Sequence, residues 1–225
     1  RINPQFLMRK NYRVLFILLV LLLVFSSELP AQLCTGSLGD PVVNITFGSG
    51  PNPGPSLGSL TNYTYVTDGC PGDGYYTVAN NIPNCFNSTW YSTTDHTGDP
   101  NGYMMVVNAS YNPGDFFVKK VDGLCPNTTY EFAAWIYNLL VSSACGGNGI
   151  KPNITFNIET STGKILQTYS TGDISMGLGW KQYGFFFATT TDINSVVLRM
   201  TNNAPGGCGN RRRREGRRLG PAVAH

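Results

Sequence analysis

The body of this chain carries a single histidine, His96, and it stands beside Asp95 in the run Trp90–Val107 (WYSTTDHTGDPNGYMMVV). An Asp–His pair supports nucleophilic catalysis when a serine is presented on a GxSxG turn. No such turn occurs here, and one imidazole next to one carboxylate is a weak indication. Glycoside hydrolysis needs two carboxylates about 5 to 9.5 Å apart across a cleft. The body's two glutamates, Glu131 and Glu159, both fall in strand-like runs with no paired motif. No catalytic residue is therefore assigned, and a polysaccharide hydrolase using Glu131 or Glu159 is only the second alternative.

Binding chemistry fits the same run better. Trp90, Tyr91 and Tyr103 offer aromatic faces that can stack on sugar rings, and Asp95, His96 and Asp99 offer hydrogen-bonding groups beside them. These six residues are the candidate ligand-binding set. Core packing competes for the rings, and for Tyr103 it is the favoured reading. Asp95 and Asp99, with loop carbonyls, could supply part of the six to eight oxygens that calcium takes. Two acids in a loop are more often turn formers. Calcium is the only cofactor the residues suggest.

The elements that must position this run read as strands. Between Asp40 and Asn203 the chain is a series of short alternating segments broken by Gly, Pro, Asn and Asp. Expected strands are Pro41–Phe47, Asn62–Thr67, Tyr75–Ala79, Thr89–Thr94, Tyr103–Ser110, Phe116–Val121, Tyr130–Leu140, Ile154–Thr160, Ile165–Thr171, Trp180–Thr189 and Ser195–Asn202. In one of them, Ile154, Phe156 and Ile158 alternate with Thr155, Asn157 and Glu159, the period of a half-buried strand. The pattern predicts an all-β protein, a single antiparallel jelly-roll β-sandwich. Tyr130–Leu140 differs in being apolar on both faces. It is either a central strand covered on both sides, the expected case, or a strand with one face serving as a recognition groove.

The ends have a different character. Met8, the cations Arg9, Lys10 and Arg13, the 12 apolar residues Val14–Phe25 and the stretch Ser26–Ala31 follow the order of a secretory signal peptide. The apolar run is short against the roughly 20 residues of a membrane-spanning helix. Residues 1–31 are thus expected to be upstream read-through and a signal-peptide helix, residues 32–210 the β-sandwich domain, and residues 211–225 a basic tail. That tail (RRRREGRRLGPAVAH) has no periodicity and breaks the composition of the body, as an out-of-frame, disordered extension would. The formal charge of +3 comes from the ends. Between Gln32 and Asn210 six cations face 11 acids, about −5 net, which argues against nucleic acid as a partner. Six cysteines, Cys34, Cys70, Cys85, Cys125, Cys145 and Cys208, in an exported chain without CxxC spacing favour disulfides. Cys70 with Cys85 is the most local pair, and Cys145 with Cys208 could join two loops.

Asp95-His96-Thr97, a short Gly-bearing loop and then Gly102-Tyr103-Met104-Met105-Val106 resemble the signature of MAM domains. Cys125 ahead of an aromatic strand ending at Trp135, and Trp180-Lys181-Gln182-Tyr183 before Phe185-Phe186-Phe187, follow the same order. Over nearly the whole body the chain resembles MAM-like jelly-roll modules of large bacterial surface proteins exported by type IX secretion. The resemblance stops at Gly209-Asn210, where such modules carry a closing strand with an Asp-Asp-Ile element. It implies a secreted or cell-surface, non-catalytic module for adhesion or for recognition of surface glycan or extracellular protein, with further domains missing from this chain. The alternative is a structural spacer in a longer surface protein.

Overall fold

The computed structural model describes residues 43–204 and 221–224. Among the described residues twelve strands follow one another: β1 (Thr64–Tyr65), β2 (Tyr75–Ala79), β3 (Asn81–Ile82), β4 (Thr93–Thr94), β5 (Met104–Asn108) and β6 (Gly114–Asp122). Then come β7 (Thr129–Asn138), β8 (Asn153–Glu159), β9 (Ile165–Asp173), β10 (Lys181–Ala188), β11 (Ser195–Asn202) and β12 (Pro221–Ala224). A six-stranded sheet has the order β1-β2-β5-β12-β7-β10, a four-stranded sheet the order β6-β11-β8-β9, and β3 pairs with β4. From β5 to β12 the chain passes repeatedly from one large sheet to the other, and every pairing except β1 with β2 is antiparallel. This is the expected jelly-roll sandwich.

Alternation in the sequence decides which side chains fill it. From β7, Tyr130, Phe132, Ala134 and Ile136 enter the core, where they meet Ile154, Phe156 and Ile158 of β8 and Val196, Leu198 and Met200 of β11. Phe132 and Phe156 pack edge to face at 5.5 Å, and Tyr169 stacks on Phe185 at 5.7 Å. The opposite face of the six-stranded sheet is not bare. There Ala79, Met104, Val106, Leu139 and Leu140 form a second cluster with Ile82, Cys85 and Trp90 from the excursion between β2 and β5. The Cys70–Cys85 disulfide closes that excursion. Cys125 and Cys145 are disulfide-bonded as well, while Cys34 and Cys208 lie outside the described residues. On the outer face of the four-stranded sheet, Arg199 holds Glu159 through Nε (2.8 Å) and Nη2 (3.1 Å), and Asp115 through Nη1 (2.5 Å).

Three expectations need correction. Residues 43–47 form no strand; Ile45 and Phe47 instead pack against the core from an irregular segment. Thr89–Thr94 shortens to Thr93–Thr94, because Trp90 leaves the run to bridge to Leu140. In the tail expected to be disordered, Pro221–Ala224 forms β12 between β5 and β7, with Val223 opposite Val106 and Tyr137. Two exposed strand edges there have unpaired amides to satisfy, which favours inserting even a tetrapeptide. The signal-peptide helix lies outside the described residues.

The β7–β10 pair is unusually tight at Gly184. A Cβ added there would stand 2.8 Å from both Ala133 Cβ and Phe132 O. Gly184→Val is therefore expected to destabilise the fold by about 1–3 kcal/mol, as overpacking does. A lowered denaturant midpoint with unchanged slope would show it.

Candidate functional site

The residues that β7 does not send into the core point to the outer face of the six-stranded sheet. They are Glu131, Ala133, Trp135 and Tyr137, and β10 sets Phe186, Gly184 and Gln182 opposite the first three. Trp180, just before β10, continues the row and meets Tyr137 at 5.8 Å. Backbone pairing along eight consecutive positions fixes this register, so the aromatic groups stand on a rigid support.

The Asp95–Gly102 loop closes over one end of that row. His96 stacks on Trp135 at 4.8 Å with the rings 22° apart, and meets Trp180 at 5.7 Å. Trp180 Nε1 donates to Thr94 O at 3.0 Å. Beneath the imidazole, the Asp95 side chain is almost fully buried. Its Oδ1 lies 3.2 Å from His96 Nδ1, and its Oδ2 accepts a hydrogen bond from Thr97 Oγ1. An ionised carboxylate only accepts, so the contact with a charged Asp95 requires the imidazole to carry a proton on Nδ1. Gly102 makes the closure possible, since a Cβ there would sit 2.5 Å from Asp95 Oδ2. The Asp-His-Thr…Gly spacing thus has a steric and hydrogen-bonding cause. On the other side, Tyr91 stacks on Tyr137 at 6.1 Å, held by its backbone N–H donating to Leu139 O at 2.7 Å.

The structure places His96, with Asp95, against Trp135 and Tyr91 against Tyr137, and sets the other sequence candidates apart from this row. Trp90 is 1% exposed and Tyr103 5% exposed, so neither ring is available to a ligand. Trp90 is the centre of the second cluster, packed edge to face on Phe86. Tyr103 lies in the main core with its hydroxyl donating to Pro51 O at 2.5 Å. Asp99 is exposed and shapes a turn, its Oδ1 accepting from Asn101 N at 2.9 Å. Among the described residues no three His, Cys, Asp or Glu side chains converge to hold a metal ion. Glu131 and Glu159 stand in different sheets, and both oxygens of Glu159 are taken by Arg199. Sequence reasoning missed Trp135, Tyr137 and Trp180 as site residues. The doubly apolar strand Tyr130–Leu140 was the signal that pointed to the first two.

No protein-family model matches the sequence, and no curated protein does. Among solved structures the chain is similar to the enzymatically active domain of bacteriophage CBA120 tailspike protein 4, with 11% identity and TM-score 0.37, over 66% of this chain and 16% of that one. It is similar to TmCBM61 in complex with β-1,4-galactotriose, with 11% identity and TM-score 0.37, over 66% and 77% of the two chains. It is also similar to Family 16 Carbohydrate Binding Module-2, with 11% identity and TM-score 0.36, over 66% and 80%. At that distance the chain's own side chains, rather than its neighbours, define what the surface can bind.

Burial pushes the Tyr137 hydroxyl above the ordinary tyrosine value of 10.0, and neighbouring Tyr91 adds to the shift. Tyr183, on the core side, is raised by burial and by Tyr169. A raised phenol stabilises the fold fully below pH 10.0, and that contribution is lost as pH rises through the folded-state value. Unfolding midpoints should therefore fall with pH above 10.0, and fall less steeply in Tyr137→Phe.

Proposed function

We propose that this chain is a non-catalytic binding module of the cell exterior that holds carbohydrate on the aromatic shelf formed by His96, Trp135, Tyr137 and Trp180. One observation carries the reading: three flat rings around a histidine are only partly buried, although a core of ordinary strands lies directly beneath them. Large aromatics left half exposed on a rigid sheet offer an apolar face to a ligand, and the C–H faces of a sugar ring match it. Gln182, exposed opposite Trp135, supplies an amide beside the rings to accept and donate hydrogen bonds with hydroxyls.

The disulfides at Cys70–Cys85, Cys125 and Cys145 support an oxidising, extracellular setting, as for a secreted or surface-attached protein. Adhesion through a surface glycan is the role this suggests, and the MAM-like order of motifs agrees with it. A spacer module without ligand is the second reading. The Arg199–Asp115–Glu159 clamp favours it, because that network stiffens the other sheet without offering a free binding group.

Isothermal titration against neutral soluble polysaccharides separates the two. A binding module should give a saturable isotherm, weakened about tenfold, or 1.4 kcal/mol, in Trp135→Ala and in Trp180→Ala. Trp→Phe should recover part of the loss, and circular dichroism should confirm an intact fold in each variant. A spacer should give no isotherm with any polysaccharide, and the substitutions should change nothing.

A further inference from the structure

The outer face of the six-stranded sheet does not end at the shelf. Beyond Trp135 and Gln182 the row continues with the small pair Ala133 and Gly184, then with Glu131 and Phe186. Phe186 is 67% exposed, while its neighbours Phe185 and Phe187 turn inward to the core. A large ring presented to solvent from the middle of a regular strand, on the same face as the shelf, is a second aromatic platform. The floor between the two platforms is low because Gly184 has no side chain, and the close approach of Ala133 forbids one. From Gln182, opposite Trp135, to Phe186 the strand advances four residues, about 14 Å at roughly 3.4 Å per residue.

The charge along this strip is specific too. β7 and β10 contribute one carboxylate to the outer face, Glu131, and no cation. Lys181 alternates to the other side, where its Nζ lies 5.2 Å from the Tyr183 ring centroid. A polyanionic chain carrying uronate or sulfate groups would meet repulsion at Glu131 and no Arg or Lys from either strand to compensate it.

We infer that the site is an extended trough that takes several units of a neutral, linear glycan, with Phe186 as its distal platform. A site limited to one terminal sugar would end at the shelf. The inference rests on the carbohydrate-binding reading, and the test distinguishes failure of the one from failure of the other.

The full chain is titrated with neutral β-1,4-linked gluco-, xylo-, manno- and galacto-oligosaccharides from monosaccharide to hexasaccharide, and with β-1,4-linked glucuronate and mannuronate oligosaccharides of the same lengths. One neutral series should bind with affinity that climbs with chain length beyond the disaccharide. Phe186→Ala should weaken the hexasaccharide about tenfold and leave the disaccharide unchanged, and Phe186→Tyr should restore the hexasaccharide. The uronates should bind more weakly than the neutral oligosaccharides of equal length. If the neutral sugars bind with a dependence on Trp135 but affinity is flat with length and indifferent to Phe186, the trough is wrong and the shelf stands. Tighter binding of the uronates overturns the charge argument. If nothing binds, the carbohydrate reading fails with it.

Discussion

The pairing of β7 with β10 is the constraint on which the rest of the molecule depends. The two strands keep one register across eight residue pairs, from Lys181 opposite Ile136 to Ala188 opposite Thr129. A slip of one residue would move every side chain to the other face. Tyr130, Phe132, Ala134 and Ile136 would leave the core, and Glu131 would enter it. The hydrophobic cost of that exchange is large, at about 1.5–3 kcal/mol for each large side chain exposed. The core therefore fixes the register, and the register fixes where Trp135, Gln182 and Phe186 stand. The geometry of the outer face is a consequence of packing on the inside.

The Asp95–Gly102 loop shows the same economy. Its buried carboxylate orients His96 and ties Thr97, and the imidazole then stacks on Trp135. Burying a carboxylate is costly unless it is hydrogen-bonded, and here the hydrogen bonds set the loop's shape. The second cluster around Trp90 anchors the neighbouring excursion, so both sides of the shelf are braced by buried groups.

Most of the fold was legible because period-2 alternation is a direct physical record of one dry face and one wet face. Tyr75–Ala79 and Ser195–Asn202 appear at the expected residues, and six further strands, from Met104–Asn108 to Lys181–Ala188, lie within a few residues of expectation. β12 was not legible, since its place comes from an open slot between β5 and β7 and not from any pattern in Pro221–Ala224. The site was half legible. Trp90 and Tyr91 are adjacent aromatics of similar appearance, and only the tertiary bridge from Trp90 to Leu140 decides that one is buried and the other half exposed. Tyr130–Leu140 was apolar on both faces, and burial was the ordinary explanation. The outer face is indeed covered at Leu139 and Leu140, but it opens at Tyr137 and Trp135. That boundary is set by where the excursion ends, which local sequence does not encode.

The central claim, that the outer face of β7 and β10 is the ligand surface, is tested most directly by the three indole N–H signals in a nitrogen–proton NMR spectrum. They come from Trp90, Trp135 and Trp180. On adding a neutral oligosaccharide, the signals of Trp135 and Trp180 should shift with saturation while that of buried Trp90 stays in place. Saturable binding that leaves Trp135 and Trp180 unmoved would contradict the account, and would place the ligand elsewhere on the sandwich.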